Sequence, residues 1–191
     1  MEQYITNHFA PLQDRLSESV ASTILQVAPR LLKDPTNLEY RATAMQTAAW
    51  ALNTSLQTGS SSCWGTHRSA LQLTAYYNMD HGETLVVLLP NLWRHFFDVK
   101  KFKLAQMSNR IWNKATGSID EDAKYAIAKT EEYAQLLNFG LRVRDYREEK
   151  NPQKAINEMT EKTWEMMGKK PFGEAGIIKK DDLKALYEAS Y

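Results

Sequence analysis

Six apolar residues, Leu12, Leu16, Val20, Ile24, Val27 and Leu31, recur at steps of three and four. Only a helix collects that spacing onto one face, whereas a strand needs alternation. Leu38, Ala42, Met45, Ala49, Leu52 and Leu56 draw a second, more regular stripe. Between them Asp34-Pro35-Thr36-Asn37 reads as a stop, a turn and a new N-cap. Gly59 and the serines Ser60, Ser61 and Ser62 should end the second helix in a loop.

Helical signals continue to the end of the chain. Leu104, Met107 and Ile111 mark a helix that stops near Gly117, and Ser118 with Glu121 fits a capping box. The helix that follows should bury Ala123, Ala126, Ile127, Ala134 and Leu137, with Gly140 placed for a left-handed C-terminal residue. Ile156, Met159, Thr163 and Met166 predict a later helix closed by Gly168, and Leu183, Leu186 and Tyr187 a short final one. Residues 169–178 hold Pro171, Gly173 and Gly176 and read as a loop. Residues 84–89 are rich in β-branched side chains, but a lone strand has nothing to pair with, so a buried helix is expected. The fold class is therefore all-α, a multi-helix bundle.

At 191 residues, 43% of them hydrophobic and 25% charged, the chain can build one sizeable core or at most two small ones. Its net charge is +1 and the signs are locally mixed, as where Arg142, Arg144 and Lys150 alternate with Asp145, Glu148 and Glu149. No basic stripe suits a nucleic acid. Cys63 is the one cysteine, which excludes an internal disulfide framework and a thiolate zinc cluster. Met1-Glu2-Gln3-Tyr4 lacks the basic start of a secretory signal. The longest apolar run, 85–93, is interrupted by Pro90 and Asn91, and a membrane helix needs roughly 20 apolar residues. No membrane partner is expected, and the expected location is the cytoplasm. The eight glycines form no phosphate-cradling cluster, so no residue is assigned to cofactor binding.

Of the four histidines, His8 and His95 read as ordinary surface or core residues. His67 and His81 have a more informative setting. They are 14 residues apart, and on one continuous helix that would separate them by roughly 21 Å along the axis. Two ligands of one metal must each lie about 2.0–2.1 Å from it. Shared ligation therefore requires the chain to double back, and Asn78, Asp80 and Gly82 are suitable turn formers. Trp64-Gly65-Thr66-His67 reads as a helix start with Thr66 as its cap. On spacing alone, two unrelated polar residues stay the commoner outcome.

The run Trp64-Gly65-Thr66-His67, then Leu73-Thr74-Ala75-Tyr76-Tyr77-Asn78-Met79-Asp80-His81-Gly82, then Thr84-Leu85-Val86-Val87-Leu88-Leu89-Pro90 resembles the iron-dependent alcohol dehydrogenase family. The likeness is greatest to its butanol-dehydrogenase and NADPH-dependent aldehyde-reductase branch, and it extends over essentially the whole chain. It implies metal-binding histidines at His67 and His81, and an alcohol or aldehyde oxidoreductase using Fe2+ or Zn2+ with NAD(P)H. It also implies a fold like that of dehydroquinate synthase, in which a nucleotide-binding domain precedes a helical one. Residues 1–191 would be the C-terminal helical, metal-binding domain, with the nucleotide-binding domain absent.

The resemblance also marks what is missing. The family holds its metal with one aspartate and three histidines, two of them in a pattern Asp-x-x-x-His-x-x-Glu-x-Tyr whose end is matched by Glu2 and Tyr4. Two of four ligands are thus expected here, too few for tight binding, and NAD(P)H is expected only with the missing domain. Leu71 stands where many members carry a further histidine, and Gln72 where close relatives carry glutamate. Leucine moves no proton, so the catalytic residue is left unassigned. Cys63 reads as a passive small residue, Asp80 as a helix cap, and Tyr76, Tyr77, Trp93 and Trp112 as core.

Two functions follow. One is the metal-and-substrate half of an alcohol dehydrogenase or aldehyde reductase for a small alcohol or aldehyde, inactive without its cofactor domain, which a separate chain would supply or a truncated reading frame would have lost. The other is a non-catalytic helical module with a vestigial metal site, used for oligomerisation or interaction. Apolar surface left bare by a missing domain should drive self-association, so a homo-oligomer is expected.

Overall fold

The computed structural model describes residues 1–60 and 62–191, and the part of the serine-loop reading that falls on Ser61 lies outside them. Among the described residues there are eight α-helices: α1 (Pro11–Lys33), α2 (Leu38–Ala51), α3 (Gly65–Tyr77), α4 (His81–His95), α5 (Phe97–Arg110), α6 (Ile119–Leu136), α7 (Pro152–Met166) and α8 (Lys180–Ser190). Among the described residues Phe172 and Ile178 form an isolated antiparallel bridge. Residues 84–89 lie inside α4, the helical alternative. No described helix is long and apolar enough to cross a membrane. The residues sort into two compact units.

The first unit comprises Met1, Gln3–Ser62 and Val99–Leu137. Helix α1 opens with Pro11, whose missing N–H would have had no helical partner there. Asn37 starts α2 by accepting from the Glu39 and Tyr40 amides at 3.1 Å each. Helices α1 and α2 pack on each other. Helix α2 is shorter than its stripe predicts, because Asn53 accepts from the Ser55 amide at 2.8 Å and opens a separate 3-10 turn, Thr54–Leu56. The stripe itself is not core. Leu38 is 79%, Met45 73% and Leu52 70% exposed.

Charged side chains tie α5 to α1. Lys103 Nζ lies 2.7 and 2.5 Å from the two Asp14 carboxylate oxygens. Glu18 is buried, receiving Arg110 Nη1 at 3.0 Å and the Tyr4 hydroxyl at 2.9 Å. Stripping water from a lone carboxylate costs several kcal/mol, and these donors offset that cost. The Tyr133 hydroxyl donates to the Ile24 carbonyl at 3.1 Å and holds α6 to α1. Ser118 caps α6 by accepting from the Glu121 amide. The left-handed residue after α6 is Asn138 (φ 65°), and Gly140 is needed for a different reason. A Cβ there would stand 2.5 Å from Asp145 Cβ, so that loop closes only over a glycine.

The second unit comprises Glu2, Cys63–Asp98 and Asn138–Tyr191. Its helices form a closed ring: α3 and α8 each pack on both α4 and α7. Leu73, Leu88, Trp93, Met159, Leu183 and Tyr187 fill the middle, each at most 1% exposed. Burying a side chain of that size stabilises by about 1.5–3 kcal/mol. The Tyr187 hydroxyl donates to the Ser69 carbonyl at 2.7 Å and lies 2.8 Å from Thr163 Oγ1, linking α8 to α3 and α7. Helix α4 runs through Pro90 and Asn91, and the Asn91 amide donates to the Val87 carbonyl at 2.9 Å.

Candidate metal centre

His67 is the third residue of α3 and His81 the first of α4. Trp64 precedes α3 in a left-handed conformation (φ 54°), which is strained for a side chain of its size. Its ring meets the His67 ring edge-on with centroids 5.1 Å apart. Thr66 is not the cap that its position suggests. It lies inside the helix with its hydroxyl buried. Glu2 supplies the acceptor instead. One carboxylate oxygen takes the Thr66 amide at 2.6 Å, and the other bonds His67 Nδ1.

Glu2 is 6% exposed. Burial pushes its carboxyl up, but the His67 ring and the Thr66 amide pull harder and hold it below its ordinary value. A negative charge at the first turn of a helix is also favoured by the unpaired backbone N–H groups there.

Between the two histidines the chain doubles back. Asn78 ends α3 in the left-handed region (φ 51°, ψ 39°), its N–H reaching the Thr74 carbonyl at 2.9 Å. Asp80 is the N-cap of α4, as read from sequence, and the Glu83 carboxylate accepts its N–H at 2.9 Å. Arg147 donates to the carbonyls of Tyr77 (3.0 Å) and Asn78 (3.1 Å), neutralising the free end of α3. The reversal brings the rings of His67 and His81 to a centroid separation of 5.3 Å at 58°.

The other two histidines go elsewhere. His8 Nε2 bonds the Gly59 carbonyl at 2.8 Å, and His95, at the far end of α4, bonds Asp182 at 2.8 Å. Tyr77 and Trp93 are core, whereas Tyr76 is half-buried with its hydroxyl on Glu158 at 3.1 Å. Trp112 is half-buried, its ring 6.2 Å from that of Tyr133. Cys63 is buried and Leu71 is 47% exposed. Among the described residues no group of three or more His, Cys, Asp or Glu side chains is placed to hold a metal ion.

Glu2 is the member of this cluster that pattern reading passes over. Its signal was present, since Glu2 and Tyr4 match the end of the ligand motif. No local rule, however, links a carboxylate at position 2 to an imidazole 65 residues later.

Over residues 1–191 the sequence matches the Fe-containing alcohol dehydrogenase family, C-terminal. The chain belongs to that family. It is 35% identical over 191 residues to the NADPH-dependent aldehyde reductase YqhD of Escherichia coli, covering 100% of this chain and 48% of that protein. It is 30% identical to a probable NADH-dependent butanol dehydrogenase of Bacillus subtilis, covering 99% of this chain and 48% of that protein. The substrate- and cofactor-free structure of YqhD superimposes with a TM-score of 0.92 at 34% identity, over 100% of this chain and 49% of that one. An NADH-dependent butanol dehydrogenase A from Thermotoga maritima shares the fold, with a TM-score of 0.91 at 17% identity over 99% of this chain and 48% of that one. The chain thus spans about half the length of the curated relatives it matches, and corresponds to the helical C-terminal domain of the iron-containing alcohol dehydrogenases.

Proposed function

We propose that this chain is the metal-binding helical half of an NAD(P)-dependent alcohol dehydrogenase or aldehyde reductase, with His67 and His81 as two ligands of an Fe2+ or Zn2+ ion. The 5.3 Å between their ring centroids carries the reading. A ligating nitrogen stands about 2.0–2.1 Å from zinc with its ring centre roughly 1 Å further back, so two rings on one ion can lie up to roughly 6 Å apart. The observed spacing falls within that reach.

Two imidazoles fill half of a four-coordinate shell. The reading therefore takes the remaining two ligands from the Asp-x-x-x-His part of the family pattern, upstream of Glu2, and the nicotinamide site from a cofactor-binding domain in the same or a separate polypeptide. When bound, the ion would polarise the oxygen of a small alcohol or aldehyde as a Lewis acid while a nicotinamide carries the hydride. Within this chain, His67 and His81 would each offer one ring nitrogen to the ion. Trp64 walls one side of the His67 ring. Leu71 can move no proton.

Calorimetric titration with zinc and ferrous iron tests the proposal. Micromolar binding by the full chain, lost in His67→Ala and in His81→Ala, is the expected result. A mixture with a cofactor-domain fragment should then change nicotinamide absorbance when a simple aldehyde is added. Unmeasurable metal binding by the unsubstituted chain would overturn the proposal. It would leave the second reading, a non-catalytic interaction module, which the exposed Leu38, Met45 and Leu52 favour.

A further inference from the structure

We infer that Glu2 is a positioning residue for His67: it fixes which ring nitrogen carries the proton and leaves Nε2 as the nitrogen able to ligate. The inference rests on the metal reading above and adds a residue to it. A carboxylate is acceptor-only, so its bond to His67 Nδ1 needs a proton on that nitrogen. In a neutral imidazole the lone pair then sits on Nε2, the arrangement in which an outer carboxylate orients a metal-ligating histidine.

Both carboxylate oxygens are committed. While one holds His67, the other accepts the buried Thr66 amide at 2.6 Å. The carboxylate therefore cannot swing away without stranding a buried backbone donor. Burial at 6% exposure keeps water from replacing it. The same side chain locks the first turn of α3 and the ring that projects from it. His67 thus keeps its rotamer and its tautomer together.

Long-range nitrogen–proton correlation spectra of the full-length, metal-free, 15N-labelled chain read the tautomer directly. Unsubstituted protein should show His67 protonated on Nδ1. In Glu2→Leu the ring should revert towards the Nε2-protonated form that free histidine prefers. Glu2→Gln keeps an acceptor oxygen and should retain part of the native signal. In parallel, cobalt(II) affinity followed by absorbance should fall about 10–100-fold in Glu2→Leu and by less in Glu2→Gln. Circular dichroism checks that each variant is folded, and if Glu2→Leu is not, Glu2→Gln alone carries the comparison. The inference is overturned if His67 in the unsubstituted chain is protonated on Nε2, or if folded variants keep both its tautomer and the cobalt affinity unchanged. Failure of the unsubstituted chain to bind cobalt counts against the metal reading instead, and the tautomer still decides the role of Glu2.

Discussion

Gly65 and Ile178 are packed so closely that a Cβ on Gly65 would stand 2.6 Å from Ile178 Cδ1 and 3.3 Å from Cys63 Sγ. Ile178 is itself fully buried. We therefore expect Gly65→Ala to lower the unfolding free energy by about 1–3 kcal/mol through overpacking. Ile178→Val removes Cδ1 and should cost roughly 0.5–1.5 kcal/mol alone. Because the second change makes room for the first, the double variant should be less destabilised than the sum. Urea denaturation of the four proteins measures this, and strict additivity would mean that the two residues do not compete for space.

The interior phenols predict an alkaline limit. Burial holds the Tyr187 hydroxyl well above its ordinary value of 10.0, with the Thr163 hydrogen bond pulling only partly back. Tyr4 is raised mainly by burial, with the Glu18 and Asp14 charges adding to it and the Gln106 bond opposing it. For a group whose folded value is raised, stability is intact below the unfolded value and falls as pH rises past it. The urea midpoint should thus hold steady up to about pH 10 and drop above it. Tyr187→Phe should cost about 1 kcal/mol at neutral pH and make that alkaline drop shallower. An equally steep drop in Tyr187→Phe would show that this phenol does not contribute.

Much of the fold was legible because helices write their period into the sequence. The stripe Leu12 to Leu31 and the break at Asp34-Pro35-Thr36-Asn37 predict α1 and the start of α2 well. What periodicity cannot state is what covers a stripe. Leu38, Met45 and Leu52 repeat like core residues and yet face outward. Cap grammar failed in a different way. It is written for neighbours a few residues apart, so it offered Thr66, while the working acceptor arrived from Glu2, 64 residues away. Near Gly140 it named a left-handed residue where the structural demand is room for the Asp145 side chain, and Asn138 takes the left-handed role. The histidine pair needed a reversal that turn formers could suggest but not measure. Its 5.3 Å spacing is set by how the two helices pack, which no local pattern records.

That outward stripe sets an expectation for solution behaviour. Exposed apolar rows of this kind drive association, so light scattering should report a mass above the 21.9 kDa of one chain. Met45→Glu and Leu38→Glu should shift the mass towards the single-chain value with little change in the urea midpoint, since both side chains are already exposed. A mass of 21.9 kDa for the unsubstituted chain would refute the expectation.

Arg147 grips the end of α3 by two carbonyls, and Asn78 turns the backbone beside it. The distance between the two imidazoles is thereby tied to helix phase and to the clamped reversal between them. One residue inserted in α3 between His67 and Tyr77 would rotate His67 by about 100° about the axis and carry it off towards another face. For the proposed metal site, length in this stretch is as stringent a requirement as the identity of the two histidines, and a lineage could lose their pairing by a single inserted codon while keeping both.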